Sequence, residues 1–259
     1  AAALFADVPG FQVHGIQRRS KRSGWKIDAL NRGENPIGGD EPGLDELISR
    51  VHEKGTFKVT DDISVVKDAD AILIDVQTPT ESDHQPRYES LISVSQQVGE
   101  VMRPGTLVCI ESTVAPGTTR NLVLPILEEA SGLICGKDFS LAFAYERVMV
   151  GRLLYNITDL PRIVGGIDTK STQRAVELYS NIVRAEIHST DSLTAEVSKT
   201  VENTYRDVNI AFANEVALIC ESLGIDAFRV RELVNTLPNI PGDPSKNPIR
   251  NMHVPGSGV

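Results

Sequence analysis

Two apolar runs constrain this chain more than any other feature. Residues 71–76 read Ala-Ile-Leu-Ile-Asp-Val and residues 107–111 read Leu-Val-Cys-Ile-Glu, and each gives way to a Thr- and Pro-containing turn. Between them, residues 87–101 read as a helix. A strand that is apolar on both faces must be covered on both faces. Near-continuous apolar strands alternating with helices therefore predict an α/β fold with a doubly wound parallel sheet. In such sheets ligands lie at the carboxyl ends of the strands, and the turns at 77–80 and 112–119 occupy that position. Function is to be sought there.

Further strands are expected at 11–16, 57–60, 140–143, 162–166 and 185–188. Helices are expected at 22–31, 44–54 and 169–182, and at 61–67 a helix start has Asp62 as its N-cap. Residues 1–6 read as a helix already under way. From 192 to 223 the pattern becomes one long helix, with Ser189, Thr190 or Asp191 to cap its start and Gly224 to end it. At ~30 residues it would span roughly 45 Å, which suits a helix that links two domains. The expected organisation is a Rossmann-like α/β domain over 1–188 and a helical domain over 189–259. The last stretch, 238–259, is rich in Pro, Gly and Asn and reads as loop.

Composition narrows the function classes. With 35 acidic against 26 basic residues the 259-residue chain carries a formal charge of -9. No basic face is visible to neutralise phosphates, so nucleic acid is not an expected partner. The three cysteines, Cys109, Cys135 and Cys220, lack any CxxC spacing and fit reduced thiols in a cytoplasmic protein better than a disulfide framework or a metal site. No apolar run approaches the ~20 residues of a membrane span, and no secretory signal is present.

Candidate chemistry follows from position. Lys199, Asn203 and Arg206 stand at i, i+4 and i+7, on one face of the long helix. A solvated polar face is the plain reading of such a set. The alternative is a cationic donor set for an anionic or hydroxyl-rich substrate, with Lys199 as a proton-transfer group. Glu146 and Arg147 follow the strand at 140–143. Either they form a surface ion pair, or Glu146 is a general base or water holder and Arg147 meets a phosphate or carboxylate. Thr78 and Thr113 place hydroxyls at strand ends, where turn chemistry also explains them. A Rossmann fold puts an acid on the cofactor ribose at the end of its second strand; here Gln17 is followed by Arg18 and Arg19. Gln17 can still hydrogen-bond a ribose and the arginines can pair with a phosphate, which leaves NAD and NADP both open.

Taken in order, several segments resemble the UDP-glucose/GDP-mannose dehydrogenase family, and in particular its UDP-N-acetylmannosamine dehydrogenase branch. They are Val76-Gln77-Thr78-Pro79-Thr80, the run from Glu111 to Thr119, Glu146-Arg147-Val148-Met149-Val150-Gly151, and the run from Arg162 to Gly166. Ala195-Glu196-Val197-Ser198-Lys199 and the run from Glu202 to Glu215 complete the set. The resemblance implies a nucleotide-sugar 6-dehydrogenase that uses two NAD+ to oxidise a C6 hydroxyl to a carboxylate. Its route runs through an aldehyde and a thioester on a catalytic cysteine. It implies that Lys199 transfers a proton and stabilises an oxyanion, with Asn203 beside it. Glu146 assists thioester hydrolysis and Thr113 holds the cofactor or the catalytic water. Gln17, Arg18, Val76, Gln77, Thr78, Pro79 and Thr113 are then cofactor-binding. Arg147, Val148, Lys199, Asn203, Arg206, Arg250, Gly256 and Gly258 contact a UDP-sugar, and the central helix forms a homodimer.

The Glu-Arg-Val form of the loop resembles the N-acetylhexosamine branch and favours UDP-N-acetylmannosamine. Tyr145 stands where the family usually has proline. The family's Gly-rich turn is expected before Ala1 and its cysteine after Val259, so the chain reads as a fragment of an enzyme that is inactive alone. Two rival readings remain. One is a dehydrogenase of the 6-phosphogluconate or hydroxyacid type. The other is a catalytically silent dinucleotide-binding module.

Overall fold

The computed structural model describes residues 1–236. Its elements run α1 (Ala2–Asp7), β1 (Val13–Ile16), α2 (Trp25–Asn31), α3 (Leu44–Glu53), β2 (Phe57–Thr60) and, after a 3-10 helix (Ile63–Asp68), β3 (Ala71–Ile74). They continue with α4 (Glu89–Val101), β4 (Leu107–Ile110), α5 (Leu124–Ser131), β5 (Ser140–Phe143), α6 (Leu153–Asp159) and β6 (Arg162–Gly166). The last are α7 (Thr169–Tyr179), β7 (Ile187–Asp191), α8 (Ser192–Leu223) and α9 (Ala227–Val234). Two compact units result, Ala1–Ser198 and Lys199–Val259.

In the first unit β1 pairs with β2 in parallel, and a second sheet has the order β3-β4-β5-β6-β7. All four residues of β4 and of β5 are buried, as strands covered on both faces must be. One sheet face packs Ile74, Val108, Ile110 and Phe143 with Leu91 and Val98 of α4 and Leu127 of α5. The other packs Leu107, Cys109 and Val164 with Phe5 of α1 and Ala175 and Tyr179 of α7. A third cluster joins α1, Ile27 of α2 and Leu47, Ile48 and Val51 of α3 to Phe57 and Val59 of β2. This is the α/β sandwich expected. In the second unit the described residues are the remainder of α8, which ends at Gly224 with φ +65°, and α9, whose N-cap Asp226 accepts from the Phe228 amide.

The differences from expectation are local. β6 runs antiparallel to β5, pairing Ala142 with Gly166 and Phe143 with Gly165, so the sheet is not uniformly parallel. A side chain at Gly165 would overlap the Asp191 carbonyl, so close approach of backbone explains the glycine. The last strand is Ile187–Asp191 rather than 185–188, because it pairs with β6 residue for residue from Arg162↔Ile187. Asp62 does cap, accepting from the Ser64 amide at 2.9 Å, but the turn that follows is a 3-10 helix over Ile63–Asp68. Three helices, α5, α6 and α9, lie where none was read. The loop expected at 238–259 lies outside the described residues.

Asp7, at the end of α1, holds α3 through Arg50 at 2.8 Å and Lys54 at 2.6 Å. Hydrogen bonds from Arg50 and then Lys54 lower its carboxyl to about 2. The folded-state value is depressed, so the stabilisation is complete above the unfolded aspartate's range near pH 4. It is lost as pH falls from there toward 2. Both cations are half exposed and screened, so Asp7→Asn is expected to cost about 1 kcal/mol at neutral pH. Urea denaturation should show this gap at pH 7 and its narrowing at pH 3; a gap independent of pH would assign the loss to packing.

Candidate active site

Asp75, Glu111 and Glu146 follow the carboxyl ends of β3, β4 and β5. With Arg162, Val148 and Leu153 they line a cavity of about 240 Å³. Its floor is a closed network. Arg162 and Glu111 form a buried ion pair. The Tyr179 hydroxyl donates to Glu111 Oε1 at 2.8 Å, and Arg162 Nη2 donates to the Ala144 carbonyl at 2.6 Å. The Arg162 guanidinium also stacks on the Tyr179 ring, 4.0 Å from its centroid. Burial, reinforced by the Glu111 carboxylate, pushes the Tyr179 phenol well above its ordinary value, so it acts here as a donor. Asp75 is reached by solvent, yet surrounding protein and then the Glu111 and Glu146 carboxylates raise its carboxyl from the ordinary aspartate range. The cavity thus gathers three carboxylates beside one buried guanidinium, and the upward shift of Asp75 is the kind of perturbation that acid–base chemistry uses.

The two turns singled out by sequence are braced against each other. Ser112 Oγ accepts from the Val76 amide and donates to the Val76 carbonyl, both at 2.8 Å. Thr78 Oγ1 donates to the Thr113 carbonyl at 2.6 Å, so this hydroxyl serves the scaffold. Val76 packs against the core, whereas Gln77, Pro79 and Thr113 are exposed. The second turn is also pinned from α8. Glu196, fully buried, accepts from the amides of Gly117 at 2.5 Å and Thr119 at 2.8 Å. Gly117 has φ +91°, a turn conformation that glycine adopts without strain.

After β5, Glu146 accepts from the Val148 amide. Arg147 donates to the Pro161 carbonyl at 2.6 Å and lies over the Tyr145 ring, 5.6 Å from its centroid. Tyr145, in the position where the family usually has proline, is therefore a buried platform for Arg147. At the end of β1, Gln17 donates to Ser23 Oγ at 3.2 Å. Arg19 is committed to Asp28 at 3.3 Å and Asp61 at 3.2 Å, while Arg18, next to Gln17, is exposed. An exposed cation next to a side-chain amide suits a ribose and phosphate, so the residues present fit a dinucleotide.

On α8, Lys199 is buried, Asn203 is half-buried, and half-buried Arg206 pairs with Glu202 at 3.7 Å. These three belong to the second compact unit. Arg250, Gly256 and Gly258 lie outside the described residues. Of the cysteines, Cys109 is buried in β4 with its thiol pushed up by burial and then by Glu111. Burial, then Asp168 and Glu128, push Cys135 up to about 11. Cys220 is buried on α8. Neither Cys109 nor Cys135 offers a thiolate near neutral pH. Among the described residues no His, Cys, Asp and Glu cluster could hold a metal, and no helix is long and apolar enough to cross a membrane.

Sequence reasoning missed Glu41, Glu196 and the Glu111–Arg162–Tyr179 network as site-building groups. Glu111, Glu196 and Arg162 stood inside the quoted segments, but no spacing marked them.

An α/β sheet wound on both faces, with polar turns braced at its strand ends and a ribose-and-phosphate donor set after β1, defines a nucleotide-binding protein of Rossmann type. The particular kind follows from comparison with known proteins. Residues 1–183 match the NAD binding domain of the UDP-glucose/GDP-mannose dehydrogenase family, and residues 193–258 match its central domain. The chain belongs to that family, and its cofactor is NAD. Over 258 residues, 100% of the chain, it is 39% identical to a UDP-N-acetyl-D-mannosamine dehydrogenase of Pyrococcus horikoshii, of which it covers 57%. The structure of that enzyme matches with a TM-score of 0.88. An NDP-N-acetyl-D-galactosaminuronic acid dehydrogenase of Methanosarcina mazei is 48% identical, with a TM-score of 0.82 over 100% of this chain and 54% of that one. The UDP-N-acetyl-mannosamine dehydrogenase of Staphylococcus aureus is 33% identical, with a TM-score of 0.83 over 100% of this chain and 58% of that one. The chain spans about half the length of the curated relatives it matches.

Proposed function

We propose that the protein bearing this chain is a nucleotide-sugar 6-dehydrogenase. It oxidises the C6 hydroxyl of a UDP-N-acetylhexosamine to the uronate with two NAD+, and UDP-N-acetylmannosamine is the favoured substrate. The observation that carries this reading is 39% identity sustained across the whole chain with an enzyme named for that sugar. The 48% match to a galactosaminuronic acid dehydrogenase supports the N-acetylgalactosamine nucleotide as a second substrate reading. Residues 1–188 serve as the cofactor domain and 189–259 as the central helical domain.

The overall balance is one alcohol, one water and two NAD+ giving one carboxylate, two NADH and three protons. NAD+, when bound, supplies the hydride acceptor. The chain's own residues bind and move protons. Gln17 and Arg18 hold the ribose and phosphate end, and the Val76 to Pro79 turn lines the cofactor. Lys199 Nζ accepts the hydroxyl proton and then faces the developing oxyanion, with the Asn203 amide beside it. Glu146 orients the water that adds the second oxygen and takes its proton, and Thr113 Oγ1 holds that water or the cofactor. Arg147, Val148 and Arg206 contact the sugar nucleotide, and Arg250, Gly256 and Gly258 complete that role. Val201, Tyr205, Val208 and Phe212 recur at helical spacing on α8 and are each more than half exposed, which supports pairing of two copies along this helix.

The test is NADH release by the full-length protein with the UDP-activated forms of N-acetylmannosamine, N-acetylgalactosamine, N-acetylglucosamine and glucose. Two NADH per acetylated sugar is the expected result. One NADH per sugar would exclude the four-electron reaction, and no turnover with any of the four would favour the silent binding module. Sedimentation of the same preparation should give a dimer, and a stable monomer would remove the α8 pairing.

A further inference from the structure

The loop after β5 is an arch held at both feet by carboxylates, and only the near foot belongs to the loop itself. Glu146 accepts from the Val148 amide at the near end. At the far end the carboxylate comes from the connection between α2 and α3. Glu41 Oε1 accepts from the Gly151 amide at 2.5 Å and Oε2 accepts from the Leu153 amide at 3.0 Å. Glu41 is buried, although it lies in a connecting loop where glutamate is ordinarily solvated. Between the feet, Met149 and Val150 stand 52% and 83% exposed. The arch therefore offers an accessible tip on fixed supports.

Local sequence explains how Glu41 reaches the arch. Pro42 restricts residue 41 to extended backbone, and Gly43, with φ +78°, turns the chain into α3. The two loops then lie side by side. A Cβ added at Gly39 would stand 3.7 Å from the Val150 side chain, and one at Gly43 would stand 3.5 Å from Leu154. Gly151, with φ +84°, places its own amide toward the carboxylate, 110 residues away along the chain. An ionised acceptor binds amides about twice as strongly as a neutral one, so two such bonds define where the arch sits.

We propose that Glu41 is a positioning residue for the sugar-nucleotide loop, fixing the height at which residues 147–150 meet the substrate. This rests on the reading that the loop contacts the sugar nucleotide. Both side-chain hydrogen bonds of Glu41 go to the arch, whereas Gln17 at the end of β1 bonds to Ser23. Loss of Glu41 should therefore separate substrate affinity from cofactor affinity.

Glu41→Gln, Glu41→Asp and the unmodified full-length protein would be compared for steady-state kinetics and for amide hydrogen exchange. Glutamine keeps the volume but turns one acceptor into a donor that faces an N–H. The KM for the sugar nucleotide is expected to rise about tenfold in Glu41→Gln, with the KM for NAD+ unchanged and kcat within about threefold. Exchange at Gly151 and Leu153 should accelerate about tenfold in the same variant, and Glu41→Asp should recover part of both effects. Faster exchange with an unchanged sugar KM would overturn the proposal. So would equal rises in both KM values, or no change in either measurement. If the unmodified protein turned over none of the sugar nucleotides, the functional reading would fail first and this proposal with it. A working parent with an indifferent Glu41→Gln would sink the proposal alone.

Discussion

Arg162→Leu is expected to lower folding stability by about 3–5 kcal/mol, a large part of the ~5–15 kcal/mol that holds a typical domain together. The cause is the carboxylate it leaves behind. Glu111 is buried, and among the described residues only the Tyr179 hydroxyl would still donate to it without Arg162. Ala144 also loses the donor to its carbonyl. The ion pair itself contributes far less, since removing two charges from water offsets most of their attraction. Among the described residues Arg162 Nε has no hydrogen-bond partner, so the guanidinium is buried at some cost even in the intact network. Glu111→Leu combined with Arg162→Leu should therefore recover part of the stability lost by Arg162→Leu alone. A denaturant double-mutant cycle measures this. Losses that simply add would show that the pair is not the unit, and the floor of the cavity would need another explanation.

The legible part of the fold was the part with an unambiguous period. β4 and β5 announced themselves because strands buried on both faces leave no polar alternation, and Leu107 to Ile110 and Ser140 to Phe143 have none. α8 was legible from end to end for the opposite reason, a long 3.6-residue pattern closed by Gly224. The antiparallel sense of β6 was not legible. Direction depends on which neighbour a strand meets, and Arg162 to Gly166 carries the same apolar composition either way. α6 and α9 are 7 and 8 residues long, too short for a face to show, and α6 buries Asn156 and Thr158 rather than an apolar stripe.

For the site, position at strand ends pointed to Thr78 and Thr113, but position does not reveal occupation. Thr78 spends its hydroxyl on the neighbouring turn, and Arg19 spends its charge on Asp28 and Asp61. Glu41 and Glu196 were silent because each works on amides 110 and 79 residues away, and a single glutamate has no spacing to betray a distant partner.

Lys199→Ala should reduce kcat of the full-length protein by about 10²–10⁴-fold, the usual loss when a positioned proton-transfer group is removed. Lysine is among the residues least often buried, yet Lys199 is 8% exposed on a helix whose outer positions offered it solvent. Lys199 keeps an interaction in the folded chain, so a structural part and a proton-transfer part are to be told apart by experiment. Lys199→Met separates the two: it preserves the apolar stem and should be as inactive as alanine, and its urea midpoint against that of the unmodified protein reports the structural part. Lys199→Arg keeps the charge but cannot release its proton near neutral pH, so it should bind the sugar nucleotide and still fail in turnover. Arginine restoring more than a tenth of kcat would leave Lys199 as a charge that binds substrate, and the proton acceptor would have to be sought among the carboxylates of Asp75 and Glu146.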